Sequence, residues 1–497
     1  MSAVCGKSFS PRGRLDVSRI AVRTGDPVGK ERVMTGREGI RRDHFKDGER
    51  GPGMESTNPH AGGERPQARE FSTAKDGFGM LQLYNTMSRR KERFEPRNEG
   101  AVKMFSCGPS IYGRPHVGNY RSFLWEDVLQ RYLEHLGFTV ERALSLTDVE
   151  DKAISEAQKA GTTVLELTDR NTRLFFEEAG ALRIKLPSLV PRSSTTVEQA
   201  VRLILLLLSK GIAYWHEGDV FFDPLQVKGF GRLFRLDMSK WPKAKRRFKQ
   251  DTYPGRRWNL GDFVLWHGYR QGDPLYWDTP IGKGRPAWNI QDPAMITRHL
   301  GYTIDIACGG VDNLYRHHDY NLAVIEAISG EEFSRYWIHG EHLLVDGKKM
   351  SKSVGNILYP EDLLKEGAEH RHIRFYLIYG NHRKTINLTM DRFKTLSRKL
   401  DDLTEVLGEI GCTGEAGGTA PDKSPGAAKK LVDGLLPGFE KHMNDDLNVK
   451  GAFDFLYKSL QELAALNRQG KLGGTECRRI EEELRKADRV LRVIFAD

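Results

Sequence analysis

The spacing of apolar residues divides the chain into segments of different character. Residues 1–79 are rich in Gly, Arg and acidic residues, carry few large apolar groups and show no sustained period, which predicts a largely disordered N-terminal extension. Residues 101–105 form a short apolar run of strand type, residues 123–136 an amphipathic stretch of helical period, and residues 140–146 a second apolar run. With the helical stretches that follow, they read as alternating β and α elements over residues 80–213, the first half of a parallel sheet. The aliphatic run at residues 203–208 is far too short to cross a bilayer and predicts a buried helix, so no membrane anchor is expected.

Residues 214–284 break the alternation with short aromatic-rich strands and a basic run at 243–249, and so read as an insertion between two halves of one sheet. Alternation returns over residues 285–356, where strand-like residues 304–306 and 338–345 bracket a helix-like stretch at 321–328. Residues 357–411 read as helical, 412–426 as a Gly/Pro/Ser-rich linker, and 427–497 as a terminal amphipathic helical domain. No internal repeat is evident. The expected fold is α/β, a Rossmann-like parallel sheet with an insertion, followed by an α-helical C-terminal domain. No GxGxxG follows the first strand, which argues against an NAD-type dinucleotide enzyme.

Composition changes this picture only at the margins. A chain of 497 residues, 39% hydrophobic and 29% charged, has the make-up of a soluble protein of several domains. The net charge of +10 suits an anionic partner such as tRNA, although a solvated basic surface gives the same count. Five cysteines at 5, 107, 308, 412 and 477 are dispersed and odd in number, which predicts reduced thiols and a cytoplasmic setting.

Two distant stretches carry the chemistry. Pro115-His116-Val117-Gly118-Asn119 falls on the predicted strand-to-helix turn, where free amides and the helix dipole favour phosphate. Gly118 would let a ligand approach the backbone, and His116 and Asn119 can donate hydrogen bonds to an oxyanion. Lys349-Met350-Ser351-Lys352-Ser353 places two ammonium groups on a hydroxyl-rich loop, suited to a departing pyrophosphate.

The pair resembles the HIGH and KMSKS motifs of class I aminoacyl-tRNA synthetases. The segments Phe105-Ser106-Cys107-Gly108-Pro109, Leu146-Thr147-Asp148-Val149-Glu150-Asp151-Lys152, Arg285-Pro286-Ala287-Trp288-Asn289 and Met443-Asn444-Asp445-Asp446 narrow the resemblance to the cysteinyl-tRNA synthetases. These blocks run in family order from about Met80 to the C-terminus, so a misplaced gene start and a real basic tail are both open for residues 1–79. The resemblance implies a catalytic domain in two halves (80–213 and 285–356), a connective-peptide insertion (214–284), a stem-contact region (357–411) and a tRNA-binding-type helical domain (427–497). It also implies ATP with Mg2+, an amino acid and tRNA as reactants, a role in protein biosynthesis, and a monomer. His116, Gly118, Asn119, Lys349, Ser351 and Lys352 would contact ATP, with His116, Asn119, Lys349 and Lys352 as the catalytic groups. Asn119 stands where the family has His and keeps an N–H donor without a cationic form. The small anticodon-reading domain that family members carry after the helical domain is expected to be absent.

The same resemblance implies a zinc ion held by two Cys, one His and one Glu, which binds the substrate thiol. Those positions fall on Cys107, Asp292, His317 and Asn321, so the set has become Cys/Asp/His/Asn, and an amide oxygen is a poor zinc ligand. Cys308 is a nearby candidate thiol. The alternative, which the altered set favours, is that Cys107 is a small buried side chain and His317 a core histidine. Cys107, Thr147, Trp288 and Asp292 would line the amino-acid pocket, and Asp292 can pair with a cationic amino acid instead of assisting a metal.

The leading functional reading is ATP-dependent ligation of cysteine, or a related amino acid, to tRNA through an aminoacyl adenylate. A second is an adenylate-forming paralogue that passes the acyl group to a small-molecule amine, as mycothiol-pathway relatives do. A third is an inactive RNA-binding derivative, against which the retained lysine loop argues.

Overall fold

The computed structural model describes residues 21–25, 31–35, 80–240, 261–351, 354–411 and 426–495. The basic run at 243–249, Lys352 and nearly all of the expected 412–426 linker lie outside the described residues.

Four strands form the central sheet: β1 (Ala101–Ser106), β2 (Thr139–Leu144), β3 (Ile304–Gly310) and β4 (Ser334–Gly340). Their order is β4-β3-β1-β2, and all are parallel, with Phe105 opposite both Ala143 and Ala307. Both faces are covered, which is why β1 and β3 read as continuous apolar runs. Met104, Ile306 and Cys308 face the helix α1 (Val117–His135) through Leu124 and Val128. Phe105, Ala307 and Trp337 face the helices α2 (Trp288–His299) and α3 (Asp319–Ser329) through Ile296, Leu322 and Ile325. The chain leaves β1 toward β2 on one side and later returns to place β3 on the other. The crevice beyond the C-terminal ends of β1 and β3 is therefore the topological switch point where ligands of open α/β sheets bind.

The insertion is an antiparallel sheet built from Ala213–His216, Asp219–Phe222, Phe263–Gly268, Leu275–Asp278 and Gly284–Pro286. Its Phe222 and Trp266 bury against Val201 and Ile204 of the helix Val197–Ser209, which contains the aliphatic run. Within residues 1–79, where no regular structure is expected, Ala21–Gly25 and Glu31–Thr35 pair as a hairpin and extend this sheet along Leu275–Asp278. Both stretches hold β-branched residues, a local signal that the polar composition of the whole segment masks.

After β4 come a hairpin, β5 (Leu343–Val345) and β6 (Lys348–Lys349), the helix α4 (His370–Ile378), β7 (Ile386–Leu388) and the helix α5 (Met390–Glu409). β7 pairs parallel with β5, so the lysine hairpin is held from behind. Three helices, α6 (Gly426–Met443), α7 (Val449–Arg468) and α8 (Gly474–Leu491), complete the described chain around Phe439, Phe453 and Leu484. Among the described residues no helix is long and apolar enough to cross a membrane.

One buried cation ties these parts together. Arg374, on α4 and fully buried, donates to Asp127 Oδ2 on α1 at 2.5 Å, to the Leu491 carbonyl of α8 at 2.6 Å and to the Leu182 carbonyl at 3.0 Å. Burial alone would raise the Asp127 carboxyl, but Arg374 and Arg131 hold it below the usual carboxylate range. Removing one partner of such a pair strands a charge in a dry interior. Arg374→Met should therefore cost about 3–5 kcal/mol in urea denaturation, and Arg374→Met/Asp127→Leu should cost less. A single-variant loss below about 1 kcal/mol would contradict this view of the joint.

Candidate active site

A cavity of about 580 Å3 opens at the switch point. It is lined by the loop after β1 (Cys107 to His116), by Asn119 of α1, by Gly310, Asp312 and Asn313 after β3, and by Met350 and Ser351 of the lysine hairpin. The two motifs, far apart in sequence, thus share one cavity.

His116 is the N-cap of α1 in extended conformation, as a strand-to-helix turn requires. Its backbone N–H donates to Asn119 Oδ1 at 3.0 Å, which commits the amide oxygen to the helix end and leaves the NH2 group for a ligand. The imidazole is pushed down in pKa by burial, and its Nδ1 is buried without a protein partner. At neutral pH it is a hydrogen-bonding group, not a cation.

Gly118 has a role that the sequence did not suggest. A methyl group added there would lie 2.5 Å from Met350 Cε, so the missing side chain makes room for the lysine hairpin, not for a ligand. Met350 is buried. The joint is reinforced by Val117 N–H donating to the Leu358 carbonyl at 2.9 Å. Asn356 closes the loop itself, accepting from Ser351 N–H at 3.0 Å and donating to the Lys349 carbonyl at 3.3 Å. Lys349 is exposed on β6, outside the cavity lining.

Two cations that sequence reasoning missed also line the cavity. Arg114 lies 4.7 Å over the Tyr359 ring and is ion-paired with Glu178 and with Glu361, the latter at 3.1 Å. Lys152 sits 5.2 Å over the Tyr112 ring. The available signal was positional, since Arg114 directly precedes Pro115-His116 and Lys152 ends the Thr147 to Lys152 block.

A second cavity of about 320 Å3 shares Ser110 and Lys152 with the first. Thr147, Trp288, Asp292 and His317 line it with Glu150 and Asp151, so three of the four expected pocket residues meet here. The fourth, Cys107, lines the larger cavity and places Sγ 3.5 Å from Asp292 Oδ2.

The four candidate zinc positions do cluster, but their chemistry does not fit a zinc ion. Asn321 presents its NH2 group to Asp292 Oδ2 at 3.3 Å, as a donor that cannot coordinate. The His317 ring lies against Trp288 at 4.2 Å between centroids. Burial, with Asp292 next, pushes the Cys107 thiol far up, so it keeps its proton. Cys308 packs in the other core cluster, with Ile306 and Met104. Among the described residues no group of three or more His, Cys, Asp and Glu side chains is arranged to hold a metal.

What meets the thiol is His318. Its Nε2 is 3.0 Å from Cys107 Sγ, its Nδ1 is 2.8 Å from His339 Nε2, and His339 Nδ1 is 2.8 Å from Thr86 Oγ1. A carboxylate only accepts, so the thiol donates to Asp292, His318 donates to the sulfur, His339 to His318, and Thr86 to His339. The thiol and both imidazoles are neutral. Burial agrees with this: it pushes His318 far down and His339 down to about 3. The turn that swings His317 outward and His318 inward runs through Arg316, a non-glycine residue at φ 73°.

Comparisons with known proteins agree with this geometry. A family model described as tRNA synthetases class I (C) catalytic domain matches residues 93–398. A cysteine–tRNA ligase of Chlamydia pneumoniae is 35% identical over 420 residues, covering 83% of this chain and 86% of the relative. One of Brachyspira hyodysenteriae is 35% identical over 379 residues, covering 76% and 79%. The solved Mycobacterium tuberculosis methionyl-tRNA synthetase in complex with methionyl-adenylate superimposes with a TM-score of 0.57 at 16% identity, over 79% of this chain and 90% of that one, which shows a shared fold. The chain belongs to the cysteinyl-tRNA synthetase family of class I aminoacyl-tRNA synthetases.

Proposed function

We propose that the larger cavity takes ATP, the smaller takes the amino acid, and the carboxylate of the amino acid attacks the α-phosphate across the opening they share. Members of this family activate an amino acid with ATP and ligate it to tRNA, and the reading assigns those steps to particular residues here. It is supported by one observation above others: His116, Asn119, Met350 and Ser351 line the same cavity at the sheet's switch point.

In this scheme ATP enters as its magnesium complex. The Asn119 NH2 and the His116 imidazole donate to the α-phosphate oxygens as negative charge grows there. Lys152 holds the phosphate chain from the cavity wall, and Lys349 and Lys352 neutralise the pyrophosphate as it leaves. The pocket beside Thr147 and Trp288 keeps the carboxylate of the amino acid aligned for attack, so most of the acceleration is positional. The terminal ribose hydroxyl of tRNA then attacks the adenylate carbonyl. Basic residues of the insertion and the helical domain hold the acceptor arm through its phosphates.

Asn119→Ala, His116→Ala and Lys352→Ala should each lower amino-acid-dependent ATP–pyrophosphate exchange about 10²-fold with unchanged circular dichroism. Unaltered exchange in all three would remove the basis of the assignment. Gly118→Val should have a similar effect by displacing Met350, visible as a raised KM for ATP.

Burial lowers the His116 pKa, so its neutral fraction is already dominant below the ordinary histidine value and grows with pH. Exchange should accordingly hold or rise between about pH 6 and 8. A decline across that window that His116→Gln abolishes would mean the imidazolium is the working form.

A further inference from the structure

We propose that a third cavity, between the insertion and the catalytic sheet, seats the unpaired terminal base of the tRNA acceptor strand, and that Asn289 recognises the exocyclic amino group of that base. The proposal rests on the reading of the two neighbouring cavities as ATP and amino-acid sites.

The third cavity measures about 490 Å3 and shares Asp151 and Trp288 with the amino-acid cavity. It is lined by Phe263 of the insertion, by Trp288 and Asn289 at the start of α2, and by Tyr315, Arg316 and Tyr320. It has no lining residue in common with the larger cavity, so it is separate from the place assigned to ATP.

One polar atom here waits for a donor. Asn289 is 5% exposed, and its Nδ2 donates to the Val264 carbonyl at 2.9 Å, which fixes the amide and leaves Oδ1 as the other end. That oxygen is buried with no hydrogen bond among the described residues. An amide oxygen can only accept, and leaving it unpaired out of water is unfavourable. The ligand that satisfies it therefore brings an N–H or O–H group.

The walls specify what carries that donor. Phe263 and Tyr320 stack at 4.0 Å between centroids with their planes 10° apart, and Tyr320 and Trp288 lie near-parallel at 18°. Trp288 and Tyr315 are half-buried, so both offer ring surface to a ligand. Any nucleobase has a flat face that stacks on such rings, and an amino group on its edge is a donor that an amide oxygen accepts. The aromatic surface continues outside the cavity. Phe234, 44% exposed, stands 4.9 Å from the Tyr315 ring, and the Arg316 guanidinium lies 5.9 Å over that same ring. Arg316 is exposed, which leaves its charge open to a phosphate. Exposed rings beside an arginine are the means by which a protein tracks an unpaired strand.

Position selects the base. The attacking ribose hydroxyl has to reach the adenylate carbonyl at the opening between the first two cavities, and the third adjoins them on the amino-acid side. A nucleotide with its base beside Asn289 has its ribose at the wall formed by Trp288 and Asp151. The terminal base of tRNA is adenine, and its 6-amino group is the donor that Oδ1 lacks.

The test compares charging by the full-length protein on bulk tRNA ending in adenosine and on the same tRNA ending in purine riboside, which has hydrogen in place of the amino group. The amino acid is the one that supports pyrophosphate exchange. The unaltered protein should lose about tenfold in kcat/KM on the purine-ended tRNA. Asn289→Leu should charge both tRNAs equally, at about the lower level and with exchange retained, a coupling that a merely structural role would not produce. Tyr315→Ala should raise KM for tRNA about tenfold and leave exchange unchanged. Arg316→Asn, which suits the left-handed backbone there, should flatten the salt dependence of that KM. Should Asn289→Leu fail to fold, the two-tRNA comparison and Tyr315→Ala decide. Equal charging of the two tRNAs by the unaltered protein, a preference that survives Asn289→Leu, exchange lost with charging in Tyr315→Ala, or exchange without charging of any tRNA would overturn the proposal while leaving the ATP and amino-acid assignment in place. No exchange with any amino acid would sink that assignment, and this proposal with it.

Discussion

The contact between Met350 and Gly118 is the constraint on which the rest of the site depends. A phosphate-binding turn and a lysine hairpin from opposite ends of the catalytic region act on one ligand only if their separation is fixed to within a fraction of an ångström. Met350 fills the space that a side chain at position 118 would take, since a Cβ there would lie 2.5 Å from Met350 Cε and oblige the methionine to move. The arrangement is braced one helical turn on. Arg121, 3% exposed, donates from α1 to the Glu341 carbonyl at 3.0 Å and to the Lys384 carbonyl at 2.6 Å. Those carbonyls flank β5 and β7, the pair that backs the hairpin. The helix carrying His116 and Asn119 and the strands carrying Lys349 are thus joined through buried contacts, with the Lys349 side chain exposed at the edge.

Much of this was legible in the sequence because it is periodic. The apolar runs at 101–105 and 304–306 each mark a doubly covered strand, that at 140–146 the edge strand beside them, and the motif turn falls between a strand and a helix as its residues require. What was not legible depends on side-chain direction across long sequence separations. His317 and His318 are adjacent and chemically identical. Which of them turns toward Cys107 is decided by the positive φ of Arg316, a backbone state that an arginine does not advertise. Gly309 makes the inward turn possible, since a Cβ there would lie 2.8 Å from the His318 ring. Gly118 was noticed as a glycine and assigned to a ligand when its neighbour is a methionine. Arg114 is tied up by Glu178 and Glu361 in the fold and has no local pattern that says so.

The histidine chain sets the direction of the hydrogen bonds around Cys107. Thr86, His339 and His318 each donate toward Cys107, so the sulfur already accepts a hydrogen bond and its own proton can go only toward Asp292. Reversing the chain would turn the thiol proton from Asp292 to His318 and leave Asn321 as the donor to Asp292 Oδ2. The thiol stays protonated and both imidazoles stay neutral. A metal-binding version of this cluster would need its charge spread over several ligands. Here the thiol keeps its proton and Asn321 offers an N–H donor, so the set does not supply the anionic ligands that a divalent ion needs.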